Sequence, residues 1–372
     1  MTRFQQITGF GQALWLDFIS RELLVTGQLR ELINEGLTGQ TSNPTIFQKA
    51  ISGGSEYDVQ IRELVRAGKN ATEIYEALAI QDIGDAADNL RPIYNETHAR
   101  DGFISIEVSP KLAHDTDGTI AEARRLHTAI GRPNVMIKVP ATEAGIPAIR
   151  TLIGDGIHVN VTLIFSVSMY EKVMEAYLGG LQMLLEKGKP LGLVASVASF
   201  FVSRVDTVVD KLLADRVKAG ETGLDALVGQ AAIANAKVAY DCYKKVFEGS
   251  PFASLKKAGG RVQRPLWAST STKNPNYPST KYIDTLIGPN TVNTVPMDTL
   301  DAIRQHSSPA RTIDMDVEQA YGVMEKLATV GINMGQVTEQ LLIDGVKSFA
   351  DSFEKMLGDV EAKRAKLATR TA

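Results

Sequence analysis

Apolar and polar residues alternate in eight short runs along the chain: 13–18, 36–42, 103–109, 134–139, 158–164, 192–199, 265–270 and 291–295. Each has the period of a strand. Most are separated by longer stretches in which apolar residues return every three or four positions, as in a helix with one buried face. The stretch 166–186 opens with Ser168 and Glu171 at capping-box spacing, and 338–357 gathers Leu342, Val346, Phe349, Phe353 and Met356 on one face. Strands alternating with helices imply parallel pairing through right-handed crossovers. Eight such units predict an α/β fold, a closed (β/α)8 TIM barrel with additional C-terminal helices; an open doubly wound sheet is the alternative. Two regions depart from the alternation: a helical double segment over 56–96, expected to break near Pro92, and a loop over 271–280 rich in Pro, Asn, Ser and Thr. No linker, low-complexity tract or repeat divides the chain, so residues 1–372 are expected to form one domain.

Parallel strands covered on both faces should be continuously apolar, yet four of these carry polar residues on one face. Trp15 and Asp17 share a face in the first strand, Ser105 and Glu107 in the third, Met136 and Lys138 in the fourth, and His158, Asn160 and Thr162 in the fifth. In a barrel the apolar face meets the outer helices, so the polar face points inward. Near the C-terminal strand ends it lines the mouth where barrel enzymes do their chemistry. Asp17, Glu107 and Lys138 are therefore expected to converge. A lysine between Ile137 and Val139 must pair its ammonium or lose its charge, and desolvation lowers an amine pKa and makes it a nucleophile toward carbonyls. On the residues alone, a satisfied buried ion-pair network and a lysine reaching out to water remain open.

Composition narrows the function classes. Apolar residues make up 44% and charged residues 22% of 372, so the chain has the makings of a substantial core. Forty basic against forty-three acidic side chains, with no long run of one sign, argue against a nucleic-acid partner or an anionic membrane surface. The single cysteine, Cys242, falls in an expected helix (234–247), which excludes a disulfide framework and a thiolate metal site. The N-terminal residues lack the apolar core of a signal peptide and no stretch reaches membrane-spanning length, so a soluble, cytoplasmic protein is expected. Gly9-Phe-Gly11 lacks the third glycine of a dinucleotide fingerprint and precedes the first strand. His114, Asp115 and Asp117 read as a loop leading into a helix capped by Asp117 rather than as a metal site, and His158 as a hydrogen-bonded barrel histidine.

The segment Val135-Met-Ile-Lys-Val-Pro-Ala-Thr-Glu-Ala-Gly-Ile resembles the active-site lysine region of the transaldolases, and Thr41-Ser-Asn-Pro-Thr-Ile-Phe resembles that family's other signature segment. Leu14-Trp-Leu-Asp17, Asn160-Val-Thr162 and Ser199-Phe-Phe-Val-Ser-Arg204 extend the resemblance over nearly the whole chain, whose length is similar to that of the larger bacterial subfamily. Two positions depart from it: Gln40, where the family usually has a small or apolar residue, and Lys273, where many relatives place an arginine for the substrate phosphate.

The resemblance implies a transferase that moves a dihydroxyacetone unit between sugar phosphates of the pentose phosphate pathway, without cofactor or metal. Lys138 is implied as the Schiff-base nucleophile, Asp17 as the base on the C4 hydroxyl, and Glu107 with Thr162 as holders of the water used in dehydration and hydration. Asn43 and Asn160 are implied to hydrogen-bond sugar hydroxyls and the enamine, Ser199 to contact the three-carbon unit, and Phe201 to limit water access. Arg204, Ser271 and Lys273 are implied to hold the phosphate. The nearest alternative is a Schiff-base aldolase on the same barrel, which a tyrosine near Lys138 would favour, and the alternative of another class is a non-catalytic sugar-phosphate-binding barrel. The oligomeric state, monomer or homodimer, is left open.

Overall fold

The eight alternating runs pair in chain order, and the last closes on the first to form a barrel of parallel strands. In the computed structural model, which describes residues 1–368, these are β1 (Gln12–Leu16), β2 (Gly39–Thr41), β3 (Ile104–Glu107), β4 (Val135–Pro140), β5 (Val159–Ile164), β6 (Ser196–Phe201), β7 (Arg264–Ala268) and β8 (Thr291–Val295). The closed (β/α)8 barrel is therefore the fold, and the open doubly wound sheet is excluded. Residues 369–372 of the expected 1–372 domain lie outside the described residues. Among the described residues, no helix is long and apolar enough to cross a membrane.

Register decides which side chains meet at the mouth. Glu107 pairs with Lys138 across β3 and β4, and Lys138 with Asn160 across β4 and β5, so these three share the inward face. Between β1 and β2, the Trp15 indole lies against Gly39, where an added Cβ would come within 2.5 Å of the ring. Gly39 is thus required by close approach of a large side chain to the neighbouring backbone. The β5–β6 ladder shifts register between Val161 and Ile164, and Leu163 sits there at φ +60°, a strained conformation for a leucine.

Local structure corrects several expected boundaries. The sixth strand starts at Ser196, not at residue 192, because the chain runs through a 3-10 turn at Leu191–Leu193 after Pro190. The double helical segment does not break near Pro92. It separates into Asp58–Arg66 and Ala71–Glu96 at Gly68 (φ +74°), and Asn70 caps the second helix in a capping box with Glu73. Pro92 is tolerated because both it and Asp88, whose carbonyl loses its intrahelical partner, lie on the exposed side. The helix Val167–Glu186 is capped by Ser166, which accepts from the Met169 amide; Ser168 and Glu171 form no capping box. Likewise Asp115, not Asp117, caps Thr116–Ile130 by accepting from the Gly118 amide.

The C-terminal additions are the helices Val317–Thr329 and Met334–Ala368. The apolar stripe expected over 338–357 is present and continues in both directions, with Leu341, Phe349, Met356 and Val360 buried. This last helix belongs to none of the eight crossovers. It lies beside the helix Pro44–Gly53 and is laced to it and its surroundings by Thr45 Oγ1–Ser352 Oγ (2.9 Å), Gln48 Nε2–Asp359 Oδ2 (2.6 Å) and Lys363 Nζ–Asp58 Oδ1 (2.9 Å).

Candidate active site

At the C-terminal end of the strands a cavity of about 450 Å³ opens. Its wall includes Asp17, Thr41, Lys138, Thr162, Ser199 and Phe201, from or just beyond five different strands. That convergence follows from the period-two pattern, because each of these residues takes the inward position at its strand's end.

Lys138 is buried, and its Nζ lies 3.6 Å from Glu107 Oε2, an ion pair longer than a hydrogen bond. It also donates to the Ser42 carbonyl at 3.3 Å, and it stands 5.5 Å from the centre of the Phe349 ring. Asp17, one residue past β1, is anchored through its own amide to the Val295 carbonyl (2.8 Å). Its Oδ1 accepts from Thr41 Oγ1 at 2.7 Å, and Thr41 in turn lies 2.7 Å from Thr294 Oγ1. Burial raises the Asp17 carboxyl above its ordinary range, against the opposing pull of the Lys138 charge and the Thr41 hydrogen bond.

Glu107 reaches Lys138 from a smaller adjoining cavity of about 220 Å³, which it lines with Tyr75 and Phe353. Burial pushes its pKa up to about 7, with the Lys138 charge offsetting part of the rise and Asp17 adding to it. The folded state therefore holds this proton more tightly than the unfolded chain, where a glutamate titrates near 4.5. The resulting stabilisation is whole below pH 4.5 and disappears as pH climbs through 7. Glu107→Gln removes that slope. Relative to the unsubstituted protein, its unfolding free energy is expected to rise by roughly 1–3 kcal/mol between pH 5 and pH 8. Thermal unfolding at the two pH values checks this, and an identical difference at both contradicts it.

Two buried polar atoms here have no hydrogen-bond partner among the described residues: Glu107 Oε2 and Thr162 Oγ1. Asn43 lines the main cavity and caps the Pro44–Gly53 helix, its Oδ1 accepting from the Ile46 amide, which leaves its amide NH2 free to donate. Asn160 is placed differently from Asn43. It lies beneath the cavity rather than on its wall, its Nδ2 donating to Ser105 Oγ (3.0 Å) and its Oδ1 accepting from Ser199 Oγ (2.7 Å). These two bonds tie Asn160 to Ser105 and Ser199 and leave one Nδ2 hydrogen uncommitted.

At the other end of the cavity Arg204, Ser271 and Lys273 come together, and Lys273 Nζ donates to Ser271 Oγ at 2.7 Å. Arg204, one residue into the helix Ser203–Lys218, has its guanidinium 5.5 Å from the Phe201 ring. Neither cation pairs with a carboxylate among the described residues; burial lowers both, and the Arg204 charge lowers Lys273 further. Two cations together beside a hydroxyl, neither paired with a carboxylate among the described residues, have the chemistry to hold an anion. The expected loop over 271–280 is present and is tied to the same helix. Asp210 accepts from Tyr277 Oη (2.5 Å) and the Gly229 amide, while Asp206 accepts from Tyr282 Oη and pairs with Lys281 (3.2 Å). Lys281 Nζ sits 3.6 Å from the centre of the Tyr277 ring.

Several contributors had no signal in the sequence pattern. Thr41, Thr294 and Phe349 line the cavity, and Lys49 and Asp298 stand at its edge. Thr41 lay inside a recognised segment, but its bond to Asp17 spans 24 positions and no periodicity reports it. Gln40 donates to the Phe18 carbonyl at 3.1 Å, so the departure from the usual small residue is accommodated by one backbone acceptor. His158 behaves as expected: Nε2 faces the Pro133 carbonyl at 2.8 Å, Nδ1 accepts from the Ala195 amide, and burial lowers its pKa to about 4.

Residues 14–360 match the family described as transaldolase/fructose-6-phosphate aldolase. Curated proteins named transaldolase align over nearly the full length. One from Trichodesmium erythraeum is 46% identical over 97% of both chains, and one from Parafrankia sp. is 48% identical over 95% of this chain and 96% of its own. A third, from Thermobifida fusca, is 46% identical over 97% of this chain and 98% of its own.

Proposed function

The chain belongs to the transaldolase/fructose-6-phosphate aldolase family and is a transaldolase-type transferase, and from that premise we propose how its cavity works. The whole chain acts as one catalytic domain, in the cytoplasm, on sugar phosphates. It moves a dihydroxyacetone unit from sedoheptulose 7-phosphate or fructose 6-phosphate to glyceraldehyde 3-phosphate or erythrose 4-phosphate. The observation that carries this reading is the placement of one buried amine, Lys138, between two carboxyls of raised pKa, in a cavity whose far end holds unpaired cations.

The Lys138 amine attacks the C2 carbonyl of the donor, and loss of water leaves an iminium that draws electrons from the C3–C4 bond. Asp17 takes the C4 hydroxyl proton, the bond breaks, and the aldose leaves while a three-carbon enamine stays on Lys138. Glu107, beside the amine, and Thr162, on the same cavity wall as Lys138, each with a polar atom left without a partner, hold and shuttle the water for dehydration and its reversal. Asn43 and Ser199 hydrogen-bond the sugar hydroxyls, with Asn160 fixing Ser199. Among the described residues no tyrosine lines the cavity, so no phenol stands ready to protonate the enamine, which supports transfer over simple aldol cleavage.

The test is one coupled assay with and without acceptor aldehyde, together with borohydride reduction in fructose 6-phosphate. Acceptor-dependent product and a three-carbon adduct on Lys138 are expected. An unmodified lysine and no product would leave a non-catalytic binder as the better reading.

Arg204, Ser271 and Lys273 take the donor's phosphate in this reading. Arg204→Ala is expected to raise KM for fructose 6-phosphate about 10- to 100-fold, the loss of a charge-assisted contact, with kcat changed far less. Unphosphorylated dihydroxyacetone should be affected little. Steady-state kinetics on both compounds checks this, and an equal effect on the two removes the phosphate role.

A further inference from the structure

We propose that Phe349 is the side chain that shields the three-carbon intermediate on Lys138 from water, and so sets how much of it is transferred and how much is released. The inference rests on the Schiff-base reading above. It starts from a feature of the fold that catalysis by the barrel alone does not need. The helix Met334–Ala368 stands outside the eight crossovers, yet it delivers one aromatic ring to the cavity wall, 5.5 Å from Lys138 Nζ. Phe349 is 6% exposed, and what remains exposed faces the cavity.

The approach of this helix is set by Gly345, one turn before Phe349. A Cβ at Gly345 would come within 3.0 Å of Leu163 Cδ2, so the helix rests directly on the leucine that follows Thr162 in β5. Leu163 sits at the register shift with φ +60° and meets the helix at Gly345, while its neighbour Thr162 lines the cavity. Two neighbouring residues of β5 thus serve the cavity wall and the seat of the helix carrying the ring. The bonds from Ser352, Asp359 and Lys363 fix the rest of the helix against 45–58.

The chemistry of the position follows. Release of the enamine consumes one water: a proton adds to the carbon that was C3 of the donor, giving an iminium, and hydroxide adds to C2. The carbinolamine then collapses to free dihydroxyacetone and the lysine amine. Transfer also ends in hydration of an iminium, so the two routes part at protonation of C3; a ring packed beside the nitrogen carries no proton to donate, keeps bulk water from delivering one there, and its face attracts the iminium both routes pass through. An acceptor aldehyde bonds the same carbon directly and needs no proton there.

The test compares, within each protein, dihydroxyacetone released from fructose 6-phosphate alone with transfer to erythrose 4-phosphate. Because both activities come from the same folded molecules, partial unfolding cancels in the ratio. Phe349→Ala is expected to raise release over transfer by about tenfold or more, a shift of one decade in partition. If the alanine protein does not fold, Phe349→Leu carries the test, with a rise of about threefold expected from its smaller, still apolar side chain. Borohydride trapping on Lys138 is run alongside. An adduct with an unchanged ratio overturns this inference and leaves the Schiff-base reading standing, whereas absence of the adduct in the unsubstituted protein overturns both.

Discussion

Lys138→Ala is expected to lose transfer activity by a factor on the order of 10⁴ or more, and to lose all borohydride-dependent labelling by fructose 6-phosphate. The size follows from what the amine supplies. Without it no iminium forms, and the C3–C4 bond has no electron sink; the remaining groups bind and orient a substrate that does not react. Stability should move in a different direction. The lysine is buried against Glu107, the Ser42 carbonyl and the Phe349 ring, and removing it leaves Glu107 without its cationic partner. Since the pKa of Glu107 is already about 7, it can meet that loss by taking up a proton near neutral pH. The variant should therefore remain folded near neutral pH, which circular dichroism and thermal unfolding will show. Residual transfer within tenfold of the original in a folded Lys138→Ala protein would falsify the nucleophile assignment.

The polar inward positions were legible in the sequence because the strand period is two and parallel strands admit few polar residues. Asp17, Glu107 and Lys138 each broke an otherwise apolar run at the same end of a strand, and register then brought Glu107 beside Lys138. Phe349 shows where that legibility stops. Its spacing with Val346 and Phe353 identifies the buried face of a helix, but periodicity names a face and not the surface it meets. The contact between Gly345 and Leu163, which no spacing reports, helps seat that face at the cavity. The helix caps miss for a related reason. Ser168 with Glu171 has the right spacing, yet Ser166 is the residue in extended conformation when the chain leaves β5, so it reaches the Met169 amide of the first turn. A spacing rule cannot report which residue turns the corner. Asn160 follows the same logic: the pleat correctly placed it inward, but depth along the strand put it below the cavity, between Ser105 and Ser199.

Asp17→Asn should separate the two halves of the reaction. The asparagine Oδ1 can still accept the hydrogen bond from Thr41, so the geometry at the head of β1 is kept while the ability to take a proton is lost. Iminium formation on Lys138 does not use Asp17 in the proposed sequence, because the water of dehydration is served by Glu107 and Thr162. Cleavage does use it, and loss of a positioned general base costs about 10²- to 10⁴-fold. Borohydride reduction with fructose 6-phosphate is therefore expected to trap on Lys138 the intact six-carbon unit with its phosphate, in place of the three-carbon unit trapped on the unsubstituted protein. Mass spectrometry of the labelled peptide distinguishes the two directly. The pH dependence supplies a second handle, since Asp17 must be ionised to act and burial raises its carboxyl. The acid limb of kcat/KM should therefore lie above the ordinary carboxylate range in the unsubstituted protein. Asp17 and Glu107 influence each other and both feel Lys138, so that limb belongs to the group as a whole. A three-carbon adduct forming on Asp17→Asn at the original rate would assign the base to another residue. Glu107, already beside the amine with a pKa of about 7, would then be the next to test, because a carboxyl half ionised near neutrality can both give and take a proton.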